Sequence, residues 1–291
     1  MIVTERKDQV VTVWVTADEQ NRRHPFRFAL ETARRLADLW NYRELIRNLV
    51  VRDLKVRYKN SAFGFAWSLL NPLFMMLVLS AVFSLVFEQQ RLVQNFPAFL
   101  IVGLIPWNFT NTSLARVVDS VVENSRLIKK VAFPREVIPI SVVLANFVHF
   151  VLAIPVLLVI LMALGVMPNF RILLLPPLIL IQLELVLGVA LFISCVNVFY
   201  RDMGVALDVL LQGWFFATPI FYHHWILPLW LQKPAMANPL AAIITAYRDV
   251  LVSERFPDQN FTLVALVSST LIFLIGYAVF TRYAPVFAEE V

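Results

Sequence analysis

From residue 66 onward, long apolar stretches alternate with short polar ones. A helix crossing a bilayer takes about 20 apolar residues. Six stretches approach that length: about Ala66–Phe87, Pro97–Val118, Ile138–Leu164, Ile172–Phe199, Gly204–Tyr222 and Phe261–Thr281. No ladder of alternating ~10-residue segments, the mark of a membrane barrel, is present. The pattern predicts an all-α integral membrane protein with a six-helix transmembrane domain over 66–281.

Ahead of that domain the period changes. Tyr42, Leu45, Ile46, Leu49, Val50 and Leu54 recur on one helix face, with Arg43, Glu44, Arg47, Arg52 and Lys55 on the others. The segment 41–65 is too charged to span and suits an amphipathic helix in the cytoplasmic interface. A soluble helix packed on another domain is the alternative, but the chain holds no other soluble domain of useful size. Residues 1–40 read as a cytoplasmic extension, where Val10–Thr16 alternates like a short strand. Residues 282–291 read as a cytoplasmic tail. Between the fifth and sixth stretches, Ile226–Leu231 is apolar but too short to cross. Asn238-Pro239 is a good helix start for the run that follows. The segment Tyr222–Asn260 therefore predicts two short re-entrant outer helices, shielded by protein or water and capping a cavity.

Composition agrees: 59% hydrophobic, 15% charged, mean hydropathy +0.73. Soluble domains carry roughly 25% charged residues. The net charge of +5 would suit nucleic acid, but its distribution does not. Twenty Lys and Arg fall on one side of the predicted topology and five on the other. That asymmetry places both termini in the cytoplasm, with anionic lipid headgroups rather than nucleic acid as the partner. Cys195 is the single cysteine, which excludes an intrachain disulfide and a cysteine zinc cluster. With no early apolar core, a cleaved signal peptide is not expected.

Catalytic and metal motifs are missing. None of the seven glycines precedes a lysine, so no GxxxxGK[ST] phosphate loop exists, nor HExxH or GxSxG. The adjacent His223 and His224 lack a nearby carboxylate or cysteine and read as outer-surface residues, not a metal site. Glu184, His149 and Asp208 fall inside or near spans. They are either a proton relay or groups satisfied within the bundle. Trp107, Phe109, Trp214, Phe215, Phe216, Phe221, Tyr222, Trp225 and Trp230 cluster towards the outer half. An interfacial aromatic belt and the lining of a sugar path both account for them. A sugar hydroxyl left unpaired in an apolar setting costs roughly 2–7 kcal/mol, so a glycan needs a lined path.

Between the second and third stretches lies NSRLIKKVAFPREVIP, residues 124–139. Leu127, Ile128 and Val131 form an apolar knob beside Arg126, Lys129 and Lys130, and Pro134 ends the turn. It reads as a connector on anionic headgroups, or as a docking helix for a cytoplasmic partner, where apolar area and charge give affinity and orientation.

Several separated blocks carry a family resemblance. VRDLKVRYKNSAFGFAWSLLNPLFMMLVLSAVFSLVF (51–87), LIKKVAFPREVIPI (127–140), VNVFYRDMGVALDVLLQGWFFATPIFY (196–222) and NPLAAIITAYRDVL (238–251) are similar to the permease subunits of ABC exporters of cell-surface polysaccharide. The resemblance covers about 41–281. It implies two copies of the chain around a central path, joined by two copies of a separate ATPase that carries the ATP and Mg; this chain binds no cofactor. The substrate implied is a lipid-linked glycan, O antigen first and teichoic acid next, crossing the cell inner membrane. Arg126, Leu127, Ile128, Lys129, Lys130, Phe133, Pro134 and Arg135 would couple to the ATPase. Arg52, Lys55, Arg57, Tyr58 and Lys59 would meet the lipid head. Trp107, Phe109, Trp214, Phe215, Phe216 and Tyr222 would line the glycan path. The rivals are an ABC exporter of small lipids or drugs, a polytopic enzyme acting on lipid-linked sugars, and a proton-driven transporter. The enzyme would want an acidic pair at a membrane face, and the transporter more membrane carboxylates.

Overall fold

The computed structural model describes residues 39–58, 66–86, 95–253 and 255–290. The predicted strand at Val10–Thr16 and Lys59 lie outside them. The chain divides into two compact units, Met1–Leu45 and Ile46–Val291. Of the first, the described residues 39–45 carry the start of helix α1, Arg43–Tyr58.

All described secondary structure is helical. After α1 come α2 (Ala66–Val86), α3 (Phe96–Val117), the short α4 (Ser120–Glu123) and α5 (Ser125–Lys130), and α6 (Val137–Ala163). Then follow α7 (Leu175–Phe199), α8 (Met203–Ala217), α9 (Leu229–Ala237), α10 (Pro239–Leu251), α11 (Gln259–Tyr283) and α12 (Phe287–Glu290). Among the described residues, four helical segments are long and apolar enough to cross a membrane: Phe96–Val117, Val137–Ala163, Phe170–Phe199 and Gln259–Glu290. α2 and α8 contribute shorter apolar segments, Leu70–Val82 and Met203–Ala217. The fifth stretch, drawn to Tyr222 from composition, breaks at Ala217. Pro219 disfavours helical backbone in the residue before it, and Thr218 is extended at φ −96° and ψ 130°.

α3 sits at the centre. Its spanning window is 78% buried, against 28% for that of α11, which faces outward. It packs on α2, α6, α7 and α10. The tightest pair is α7 with α11. There Gly188 and Gly276 meet backbone to backbone, and a Cβ on Gly276 would overlap the Gly188 carbonyl. Without a hydrophobic drive between helices in lipid, such small-residue contacts gain close packing.

One end of the bundle is pinned by polar groups that the apolar surroundings force to pair. Gln182 of α7 donates to the Pro106 carbonyl at 2.8 Å and to Thr110 Oγ1 at 3.1 Å, and Tyr247 of α10 donates to Gln182 Oε1 at 3.1 Å. Asn238 caps α10 by accepting from the Leu240 N–H at 3.1 Å, as its position before Pro239 predicts. Arg248, one of the five Lys and Arg on the less basic side of the chain, is only 4% exposed. It donates to the carbonyls of Phe99, Pro219 and Ile220 and lies 3.5 Å over the Phe99 ring. Three carbonyls and an aromatic face hold the charge away from water.

Candidate functional site

Three cavities follow one another along α3, all within the unit Ile46–Val291. The first, about 510 Å³, lies near α4 and α5. Arg52, Arg57, Arg116, Asp119 and Glu123 line it. Arg52 is held at 3.1 Å from Asp53 Oδ1 and 3.3 Å from Asn124 Oδ1. Arg57 donates to Asn146 Oδ1 at 2.6 Å. Asn146, buried in α6, is oriented by its own bond to the Val142 carbonyl one turn earlier, at 3.0 Å. His149 follows three residues later on the same helix face.

The second cavity, about 270 Å³, shares Arg57, Arg116, Asn146 and His149 with the first and adds Asn71, Asn108, Phe109 and Thr112. The third, about 410 Å³, shares Asn71, Pro72 and Asn108 with the second. It adds Asn111, Asp208, Gln212, Trp107, Phe215 and Phe216. The series thus runs from an arginine-rich mouth through an amide-lined middle to an aromatic end. Amides offer both donors and acceptors, and the rings offer apolar faces. Such a lining suits a solute dense in hydroxyls behind an anionic head. The described residues hold no group of three His, Cys, Asp or Glu placed for a metal.

The sequence profile of the ABC-2 type transporter matches residues 44–252. The chain belongs to the ABC-2 type transporter family. Similar to this ABC-2 chain is the O-antigen export system permease protein RfbA of Myxococcus xanthus, 35% identical over 265 residues, or 89% of this chain and 99% of that one. RfbA of Klebsiella pneumoniae is 34% identical over 241 residues, covering 82% and 91%. The polysialic acid transport protein KpsM of Escherichia coli is 25% identical over 236 residues, covering 80% and 90%. As an ABC-2 permease the chain is a membrane subunit, and ATP hydrolysis belongs to a separate partner.

Within this ABC-2 fold, the sequence-predicted residues separate into groups. Arg52 and Arg57 line the mouth, whereas Lys55 is exposed beside them and Tyr58 ends α1. Trp107, Phe109, Phe215 and Phe216 line cavities. Trp214 and Tyr222 do not line these three. The Trp214 indole donates to Asn238 Oδ1 at 3.1 Å and meets Trp107 edge-on, while the Tyr222 hydroxyl donates to the Phe216 carbonyl at 3.0 Å. Both brace the aromatic end.

In the segment expected to dock a partner, only Ser125–Lys130 is helical; Val131 leaves it in extended conformation. Arg126, Lys129 and Lys130 are exposed, and Phe133, Pro134 and Arg135 are half-buried in the turn towards α6. The expected apolar knob changes membership. Ile128 is 6% exposed and points into the protein, leaving half-buried Leu127 and half-exposed Val131, one helical turn apart, as the outward ridge.

The sequence reading missed Asn108, Asn111, Thr112 and Arg116. Their i, i+3, i+4, i+8 spacing marks one face of α3, and that period was the available signal. Of the intramembrane groups it did single out, His149 and Asp208 line cavities, at opposite ends of the series.

Proposed function

We infer that this chain is the transmembrane subunit of an ATP-driven exporter of lipid-linked polysaccharide, with O antigen the foremost substrate class and teichoic acid next. The observation that carries this reading is the linked series of cavities, whose lining changes from arginine to amide to aromatic. The names of the relatives, exporters of O antigen and polysialic acid, support it.

The chain acts as a pair in the cell inner membrane, with two ATPase copies bound at the cytoplasmic face. α2 and α8 complete six spans. Residues 41–65 lie in the cytoplasmic interface, 66–281 form the permease domain, and both termini are cytoplasmic. α9 and α10 are the re-entrant outer helices, closing the aromatic end. A pair also explains the exposed amide and acid on α2 and α8. Asn71, Asp208 and Gln212 are solvent-exposed on apolar helices, an arrangement costly in lipid and suited to a water-filled or partner-covered face. ATP binding draws the ATPases together; α5 receives the motion, and the bundles shift as rigid bodies. Arg52 and Arg57 receive the anionic lipid head, and the amides accept successive sugars.

Deleting the gene tests the reading. The expected result is loss of surface polysaccharide with lipid-linked polymer accumulating inside. Unchanged surface polymer would sink it.

A further inference from the structure

The last helix of the C-terminal tail, α12, packs on α5. α5 is six residues long and α12 four. Helices that short are not stable alone, because nucleation outweighs the few bonds gained. Each needs a tertiary partner, and besides its chain neighbour α4, α5 packs on α12. The inward turn of Ile128 fits this: Ile128 is buried against the protein, while Arg126, Lys129 and Lys130 are exposed.

α12 is itself anchored firmly. Phe287 is fully buried. Its ring stands edge-on to Phe280 of α11 at 5.2 Å and to Phe199 at the end of α7 at 6.2 Å. Phe199 in turn meets Tyr283 edge-on at 5.7 Å. Edge-to-face pairs of this kind add to the area buried. The two helices that grip Phe287 are the same two that interlock at Gly188 and Gly276. A continuous packed chain therefore runs from α5 through α12 and Phe287 to the α7–α11 pair.

We propose that residues 284–290 form a prop that seats the docking helix α5 and carries its displacement to the α7–α11 pair, with Phe287 as the positioning residue. This rests on the reading of α5 as the ATPase-docking helix. The covalent links of α5 lead to α3 and α6; the prop supplies a second route, to the other side of the bundle. Displacement of α5 then reaches the bundle on its α7–α11 side as well as through α3 and α6.

The experiment uses the full chain co-expressed with its ATPase in membranes, scoring export per ATP hydrolysed as well as complex recovery. Phe287→Ala is expected to lower export per ATP by about tenfold, within the usual range of a coupling between sites, and Phe287→Leu to restore most of it. Wild-type export per ATP in Phe287→Ala would overturn the prop. If Phe287→Ala does not accumulate, disulfide trapping decides. A cysteine replaces the inward-facing Ile128, paired in turn with one at 288, 289 or 290, in a Cys195→Ser background. The proposal predicts that at least one pair closes and that the closed form exports at least as well per ATP as the same variant reduced. Absence of closure, or export per ATP that falls on closure relative to the reduced form, refutes it. If the wild-type chain retains no ATPase, the docking reading fails and the prop goes with it, which separates the two failures.

Discussion

Arg57 of α1 reaches Asn146 of α6 at 2.6 Å, so a charged hydrogen bond ties the amphipathic helix to α6 at the mouth of the cavity series. Hydrogen bonds to charged groups contribute about 1.5–3 kcal/mol when protected. Arg57 is half-buried and Asn146 buried, so the lower end of that range applies. A double-mutant cycle with Arg57→Gln and Asn146→Leu, read as export rate, should show strong non-additivity. Additive losses would mean that the two residues act separately.

The amide face of α3 should behave as lining and not as structural support. Asn108→Leu and Asn111→Leu exchange a polar group for an apolar one of similar size. Export should fall roughly 2- to 10-fold per site, the equivalent of one hydrogen bond of about 0.5–1.5 kcal/mol, while thermal stability stays level or rises. A fall in melting temperature matching the loss of export would assign these amides to the framework.

Gly276 offers the opposite test. Gly276→Ala drives a methyl into the Gly188 backbone, and overpacking of this type costs about 1–3 kcal/mol. Gly213→Ala, where a Cβ meets open space, should leave stability unchanged or slightly raised, because alanine favours helix. Melting of the purified protein distinguishes them. Equal melting temperatures would contradict the close helix contact.

Arg248 should resist replacement by lysine as well as by methionine. Methionine leaves three buried carbonyls without their donor, at about 1–3 kcal/mol each. Lysine offers a point charge in place of a planar fork. Both variants should lower the amount of folded protein, measured by fluorescence-detected size exclusion. Full recovery by Arg248→Lys would show that charge alone suffices.

What the sequence made legible, and what it hid, follows from the range of each interaction. The long helices are visible because bilayer thickness sets a length on apolar runs. The start of α10 is local too: Asn238 before Pro239 carries its own cap. The segment 124–139 stood out because four basic residues, Arg126, Lys129, Lys130 and Arg135, sit between two long apolar runs. The burial of Arg248 was not legible because its acceptors lie elsewhere in the chain, Phe99 being 149 residues away. A charge next to a short loop looks solvated until those partners are placed. Ile128 was assigned outward for the same reason, since α12 packs on its helix only in three dimensions. Trp214 and Tyr222 looked like path residues by type, yet their polar atoms are engaged in bracing the wall. The α3 amides were readable by period but were masked by the overall apolarity of their span.

Reconstitution in sealed vesicles asks whether this chain is the membrane half of an ATP-driven polysaccharide exporter. The chain and its ATPase would be co-purified into sealed vesicles carrying lipid-linked polysaccharide on the ATPase side. A Lys129→Glu, Lys130→Glu variant, altered on the exposed basic side of α5, would run beside the wild type. The account predicts ATP-dependent appearance of polymer on the far side with wild type, and loss of both ATPase retention and movement with the variant. A wild-type complex that hydrolyses ATP yet moves no polymer, or a chain that retains no ATPase, would contradict it.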